Sequence, residues 1–260
     1  MPQGVDIDLT QLQSWIGALF WPFVRISSCL MSAPVFGTSY VPRPLRVVLG
    51  GAITLCIAPL LPAPPDLPLM SAGGVLVTVQ QVLIGLAMGF AMQLVFDSLA
   101  LGGQLLANGM GLGFAFNLDP LRGVSTPALG QLYVVLGTLV FLALDGHLAL
   151  LGTLVDSFKG LPVAEQGLDP ARLYALASWG SELFSGALAV ALPGVTALLV
   201  INLAFGVMSR AAPALNLFAV GLPVTLIFGL VIVLFGLPSF STACRELVAE
   251  GFAFLQVLTG

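Results

Sequence analysis

Ser71 to Gly113 reads SAGGVLVTVQ QVLIGLAMGF AMQLVFDSLA LGGQLLANGM GLG, an apolar run in which Asp97 is the single charged residue. Its spacing predicts helix almost without a stop until the glycines at 109, 111 and 113. At the α-helical rise, about 43 residues reach about 65 Å, roughly twice the thickness of a hydrocarbon core. A simple span cannot contain that length, and Gly102-Gly103 is the expected place for a bend into two packed or kinked helices.

The rest of the chain repeats this chemistry. Leu67 to Phe96, Ser98 to Leu118, Gly123 to Leu144, Leu183 to Ser209 and Ala211 to Cys244 contain no Asp, Glu, Lys or Arg. Each is long enough to cross a bilayer, which takes roughly 20 apolar residues. Over the whole chain 58% of residues are hydrophobic and 8% charged, so most of the surface is expected against lipid or protein. With 8 basic and 12 acidic residues and no charge runs, there is no footprint for nucleic acid. Arg43, Arg46, Arg122 and Arg210 fall on one side of a six-span arrangement and Lys159, Arg172 and Arg245 on the other, too even a split to set orientation. Asp6 and Asp8, without a nearby Lys or Arg, give the start the wrong charge for a secretory signal, and the first apolar segment is expected to be retained.

The expected class is therefore all-α, with about six membrane-type hydrophobic segments arranged as hairpins. Leu9 to Met31 is the first, closed by Pro34 and the Val41-Pro42-Arg43-Pro44 cluster, and Val47 to Leu61 the second. A proline-rich linker covers about 59–70, a glycine-rich loop about 109–126, and Pro127 opens a segment running past Asp145-Gly146-His147 to Val155. Asp156 to Arg172 is the most polar stretch and is expected as a water-facing loop. Trp179 to Val207 and Ala214 to Leu237 should form a hairpin over about 179–237, with Ser239 to Gly260 a separate amphipathic helix.

Several constellations have two readings. Gln93, Asp97, Gln104 and Asn108 fall within a sector of about 60° on one helical face. They either bond neighbouring helices together or line an aqueous conduit or a subunit interface. Gly109-Met110-Gly111-Leu112-Gly113-Phe114-Ala115-Phe116, ending in Asn117 to Pro120, joins backbone freedom to bulky apolar groups. It is either a loop packed between helices or a hydrophobic obstruction of the kind that stops ions by dewetting. Asp145 and His147 mark an interfacial helix end in preference to a proton relay. Arg25 is expected to snorkel or to meet a carboxylate. Gly85 and Gly89 permit close helix approach, and Cys29, Cys56 and Cys244 read as packing residues. One histidine, no HExxH, no GxSxG and no carboxylate cluster leave neither a catalytic set nor a cofactor or metal site.

Ordered motifs add to this reading. They are Phe20-Trp21-Pro22 with Arg25, Ala33-Pro34 followed by Val41-Pro42 and Arg46, Gln80-Gln81 before Gly85, Gly111-Leu112-Gly113-Phe114 to Asp119-Pro120, Gly146-His147, and Arg210-Ala211-Ala212-Pro213-Ala214-Leu215-Asn216-Leu217-Phe218 leading to Gly221-Leu222-Pro223. In these the chain resembles, along essentially its whole length, the FliR family of flagellar type III export-gate proteins and the similar SctT family of virulence secretion. The resemblance implies one copy in a helical complex with several FliP and FliQ subunits, with FlhB attached and FlhA nearby, in the bacterial inner membrane at the flagellar basal body. It also implies contact with lipid, passage of unfolded export substrates, and a plug formed by the positions matching Gly109, Met110, Gly111, Leu112, Gly113, Phe114, Phe116, Asp119 and Pro120. Asp145 stands where many relatives would carry Asn. The competing function is a proton-coupled small-solute transporter using Asp97, Asp145 and His147.

Overall fold

The computed structural model describes residues 9–38, 41–62, 65, 67–112, 128–211 and 217–260, and among them every regular element is helical. The elements are α1 (Leu9–Ser32), α2 (Arg43–Ile57) extended by a 3-10 turn (Ala58–Leu60), α3 (Ala72–Gly109), α4 (Ala128–Ala143), α5 (Gly146–Gly160), α6 (Pro170–Trp179), α7 (Glu182–Ala211) and α8 (Leu217–Thr259). The expectations resting on Met1 to Asp8, on Gly113 to Pro127 and on Ala212 to Asn216 lie outside the described residues. Five helical stretches are long and apolar enough to cross a membrane, or six if α4 and α5, bent by 68° at their junction, count as one broken span.

Three sequence expectations need correction. Residues Ala72–Gly109 form one helix of 38 residues, unbroken at Gly102-Gly103. A methyl group on Gly103 would sit 2.7 Å from the Leu129 carbonyl oxygen and 2.8 Å from the Gly130 Cα, so this glycine serves the α3–α4 crossing. The C-terminal tail is not separate either, because α8 runs 43 residues straight through Pro223 and Pro238. Its last turns are amphipathic as expected, burying Cys244, Leu247, Val248, Leu255 and Leu258 while Arg245, Glu246 and Glu250 face outward. The polar stretch is shorter than read: α5 continues to Gly160 and α6 starts at Pro170, capped by Asp169 accepting from the Arg172 amide at 2.7 Å.

The chain divides into two compact units. One holds Met1–Gln93, Gly146–Gly180 and Gly251–Gly260. Here α1 lays Trp21, Arg25, Ile26, Cys29 and Leu30 against the first half of α3, where Val77, Gln81, Ile84 and Met88 are buried at helical spacing. Gly85 and Gly89 bring the backbones together, since a methyl on Gly89 would collide with the Ser32 hydroxyl and sit 2.6 Å from the Cys29 carbonyl oxygen. The Trp21 indole donates to Thr78 at 3.2 Å, and the Trp179 indole donates to the Ala91 carbonyl at 3.0 Å while its ring stacks on Phe254. Ser71 starts α3 by accepting from the Gly74 amide at 3.0 Å.

The other unit holds Leu94–Asp145 and Ser181–Glu250. Phe96 meets Phe141 and Tyr133 meets Phe240 edge to face, with centroids 5.5 and 4.7 Å apart. Helices α7 and α8 pack antiparallel, with Gly186 close to Leu247 and Gly194 close to Ile232. Burial is uneven along the apolar helices. Half of the spanning stretch of α3 is buried, against 11% for that of α6 and α7 and 11% for that of α2.

Candidate functional site

The end of α3 is built for an abrupt change of direction. Gly111 has φ +80°, and the Leu112 amide reaches back to the Ala107 carbonyl at 3.0 Å, the pattern of a glycine-terminated helix whose last carbonyls are satisfied by the reversing chain. Two helices hold this turn. From α7, the Asn202 side chain donates to the Gly109 carbonyl at 3.1 Å, and a methyl on Gly109 would lie 3.2 Å from Leu198. From α8, Leu222, Thr225 and Gly229 present one face at spacings of three and four. The Thr225 hydroxyl is directed at the Leu222 carbonyl at 3.0 Å and at the Met110 carbonyl at 3.5 Å. Met110 is 1% exposed and lies directly over the Gly229 backbone.

Of the predicted plug residues, Gly109, Met110, Gly111 and Leu112 are thus gathered at the anchored root of the glycine-rich segment. Gly113, Phe114, Phe116, Asp119 and Pro120 lie outside the described residues. Asn202, Leu222, Thr225 and Gly229 escaped the sequence reading as site residues, although Leu222 stands inside a quoted motif. The available signal was Asn202, the single side-chain amide in a mostly apolar helix.

All four residues of the polar stripe lie within α3. Gln93 and Asp97 are half-buried and each has a partner, whereas Gln104 and Asn108 are exposed. Asp145 is exposed at the α4–α5 break with φ +53°, a left-handed conformation that Asp and Asn tolerate better than most residues. His147 is half-buried in the first turn of α5, and its Nδ1 has no hydrogen-bond partner among the described residues. Among the described residues no three His, Cys, Asp or Glu side chains gather as a metal site.

Arg25 departs from expectation. It is fully buried and, among the described residues, meets no carboxylate. Its Nε donates to Gln81 Oε1 at 2.7 Å, one terminal nitrogen to the Ser157 carbonyl at 3.1 Å and hydroxyl at 3.2 Å, and the other to the Leu161 carbonyl at 2.7 Å. The guanidinium carbon stands 4.1 Å from the centre of the Phe158 ring. The C-terminus of α5 therefore supplies the counter-charge: its last carbonyls carry the negative end of the helix dipole, and the aromatic face adds a cation–π contact.

Comparison with known proteins then assigns the chain. The profile of bacterial export proteins, family 1, matches residues 16–251. The chain is 38% identical to the flagellar biosynthetic protein FliR of Escherichia coli (strain K12), over 96% of each sequence. It belongs to the FliR family. The FliR of Pectobacterium carotovorum subsp. carotovorum is likewise 38% identical over 95% of this chain and 94% of its own, and that of Aquifex aeolicus (strain VF5) 28% identical over 89% and 90%. Membership makes the chain a helical, membrane-type component of the bacterial flagellar export apparatus, in keeping with its apolar helices.

Proposed function

We propose that this chain is a noncatalytic subunit of the flagellar type III protein-export gate that helps to form and to plug the channel through which unfolded flagellar proteins leave the cell. A single copy joins several FliP and FliQ subunits, FlhB attaches to the assembly and FlhA lies close by, in the inner membrane at the flagellar basal body. The outward faces of α2, α7 and α8 support a subunit role. Val48, Leu55, Leu199, Val200, Leu203 and Phe235 are among many large apolar side chains left exposed on the isolated chain, more than a solitary surface in water tolerates. Gln104 and Asn108 on the open side of α3 face a partner subunit or water, because lipid would leave their hydrogen bonds unmet.

The observation that carries the plug is the clamped root. A glycine-rich segment obstructs a channel reproducibly only if its starting point is fixed, and Gly109 to Leu112 is held by side chains from two helices. Phe114 and Phe116 supply the apolar bulk that excludes water and ions, and the glycines let the segment yield to a passing chain. Deleting Gly113 to Phe116 from the full chain in an assembled gate, with membrane potential followed by a voltage-sensitive dye, is expected to leave the membrane leaky. A membrane as tight as that of the parent would remove the plug assignment.

A further inference from the structure

Gly229 is not explained by helix formation or by family motifs, and it sits in the middle of α8, where glycine costs roughly 1 kcal/mol relative to alanine. Its surroundings account for it. A methyl placed on Gly229 would meet three successive atoms of one side chain: Met110 Cγ, Met110 Cε at 2.5 Å and Met110 Sδ at 2.7 Å. The thioether is thus wrapped over bare backbone, and methionine is the side chain whose unbranched, polarizable stem best follows such a shallow seat. Met110 is the residue immediately before Gly111, where the chain reverses. One α-helical turn before Gly229, Thr225 is directed at the Met110 carbonyl. One turn earlier still, Leu222 lies 2.7 Å from where a methyl on Gly111 would stand. One face of α8 therefore touches the backbone and the side chain of the root together.

We infer that Gly229 and Met110 form a seat and a latch, and that Gly229 is a positioning residue for closure: α8 sets where the plug segment begins by holding Met110 on bare backbone. The inference rests on the plug reading given above. The seat is one of shape and not of charge or strong hydrogen bonding, so Met110 can leave it without the cost of separating ions. Any side chain at position 229 displaces Met110, whose flexible stem moves more easily than either helix backbone, so the fold survives while the latch does not.

The test uses the full chain in its assembled export complex, with Gly229→Ala, Met110→Ala, the double variant and the Gly113–Phe116 deletion side by side. Two readouts are needed: hydrogen exchange at residues 109–112 in the detergent-extracted complex, which reads the latch, and dye-reported ion leak in cells, which reads the seal. Gly229→Ala is expected to speed exchange at the root by about tenfold and to raise the leak, with the amount of assembled complex unchanged. Met110→Ala is expected to speed exchange and raise the leak in the same way, and the double variant to be no worse than either single variant, because both changes remove one contact. Unchanged exchange in Gly229→Ala, or effects of the two single variants that add in the double variant, overturns the latch. Faster exchange with a tight membrane overturns its role in closure. In that case the deletion separates the two claims: a leaky deletion leaves the plug standing without the latch, and a tight one removes both.

Discussion

Two buried constellations hold this chain together by opposite means. Around Arg25, α1 is tied to α3 and α5 by directed hydrogen bonds from all three guanidinium nitrogens, with no exposure to solvent. Around Met110, α3 is tied to α7 and α8 by a glycine seat, an amide bond from Asn202 and a long contact from Thr225. The first cannot be loosened by degrees, because any withdrawal strands a buried charge and the carbonyls it satisfies. The second is mostly van der Waals contact, and each contact is individually small. The difference teaches which parts of a gate subunit are frame and which are adjustable. The frame is polar and tied by directed hydrogen bonds, and the adjustable root is apolar and seated.

The sharpest way to break the contrast is to remove the frame. Arg25→Ala should cost about 3 kcal/mol or more, because it empties a buried side-chain volume and leaves the Gln81, Ser157 and Leu161 acceptors unpaired. It should be read as loss of folded chain in a detergent thermal melt. Arg25→Lys should recover little of this, because an ammonium cannot reach Gln81, Ser157 and Leu161 in the fan that the planar guanidinium spans. Full stability in either variant would contradict the assignment.

Next in size is Gly103→Val, which forces a side chain into the Leu129-Gly130 backbone and should cost about 1–3 kcal/mol in the same melt. Gly152, which has nothing within 4 Å of a new methyl, should accept alanine with no loss and serves as its control. Smaller again, Asn202→Ala removes one neutral hydrogen bond to the Gly109 carbonyl and should cost about 1 kcal/mol. Its exchange signature should be confined to the root, and spread across both units would argue against a local role. Smallest is Gln104→Ala, an exposed change expected to move the melt by less than about 0.5 kcal/mol. That variant should nevertheless reduce recovery of the chain with its partner subunits, and unaltered recovery would leave the exposed end of the stripe without an interface.

How far the sequence could be read follows the range of each interaction. Charge-free stretches of bilayer length announce helices, and Asp145-Gly146 announces the break that the structure places there, because both are local properties of composition and backbone freedom. Gly102-Gly103 and the expected end of the last apolar segment at Leu237 misled for the same reason. Read locally they are breakers, whereas packing of α3 on α4 uses the missing Cβ of Gly103 and α8 continues past its prolines. The partners of Arg25 were illegible, since Gln81, Ser157 and Leu161 lie 56, 132 and 136 residues away. A buried arginine without a carboxylate also defeats any search for opposite charges. The root of the glycine-rich segment was legible as glycines and apolar bulk. Its seat was not, because nothing in the sequence distinguishes Gly229 from the other glycines of the chain.

The account as a whole requires that the exposed apolar faces of α2, α7 and α8 be covered by other protein. Native mass measurement of the chain extracted in mild detergent after co-expression with FliP and FliQ tests this directly. The expected result is a defined complex containing one copy of this chain with several copies of each partner. A stable, solitary 26.9 kDa species in the presence of both partners would contradict it.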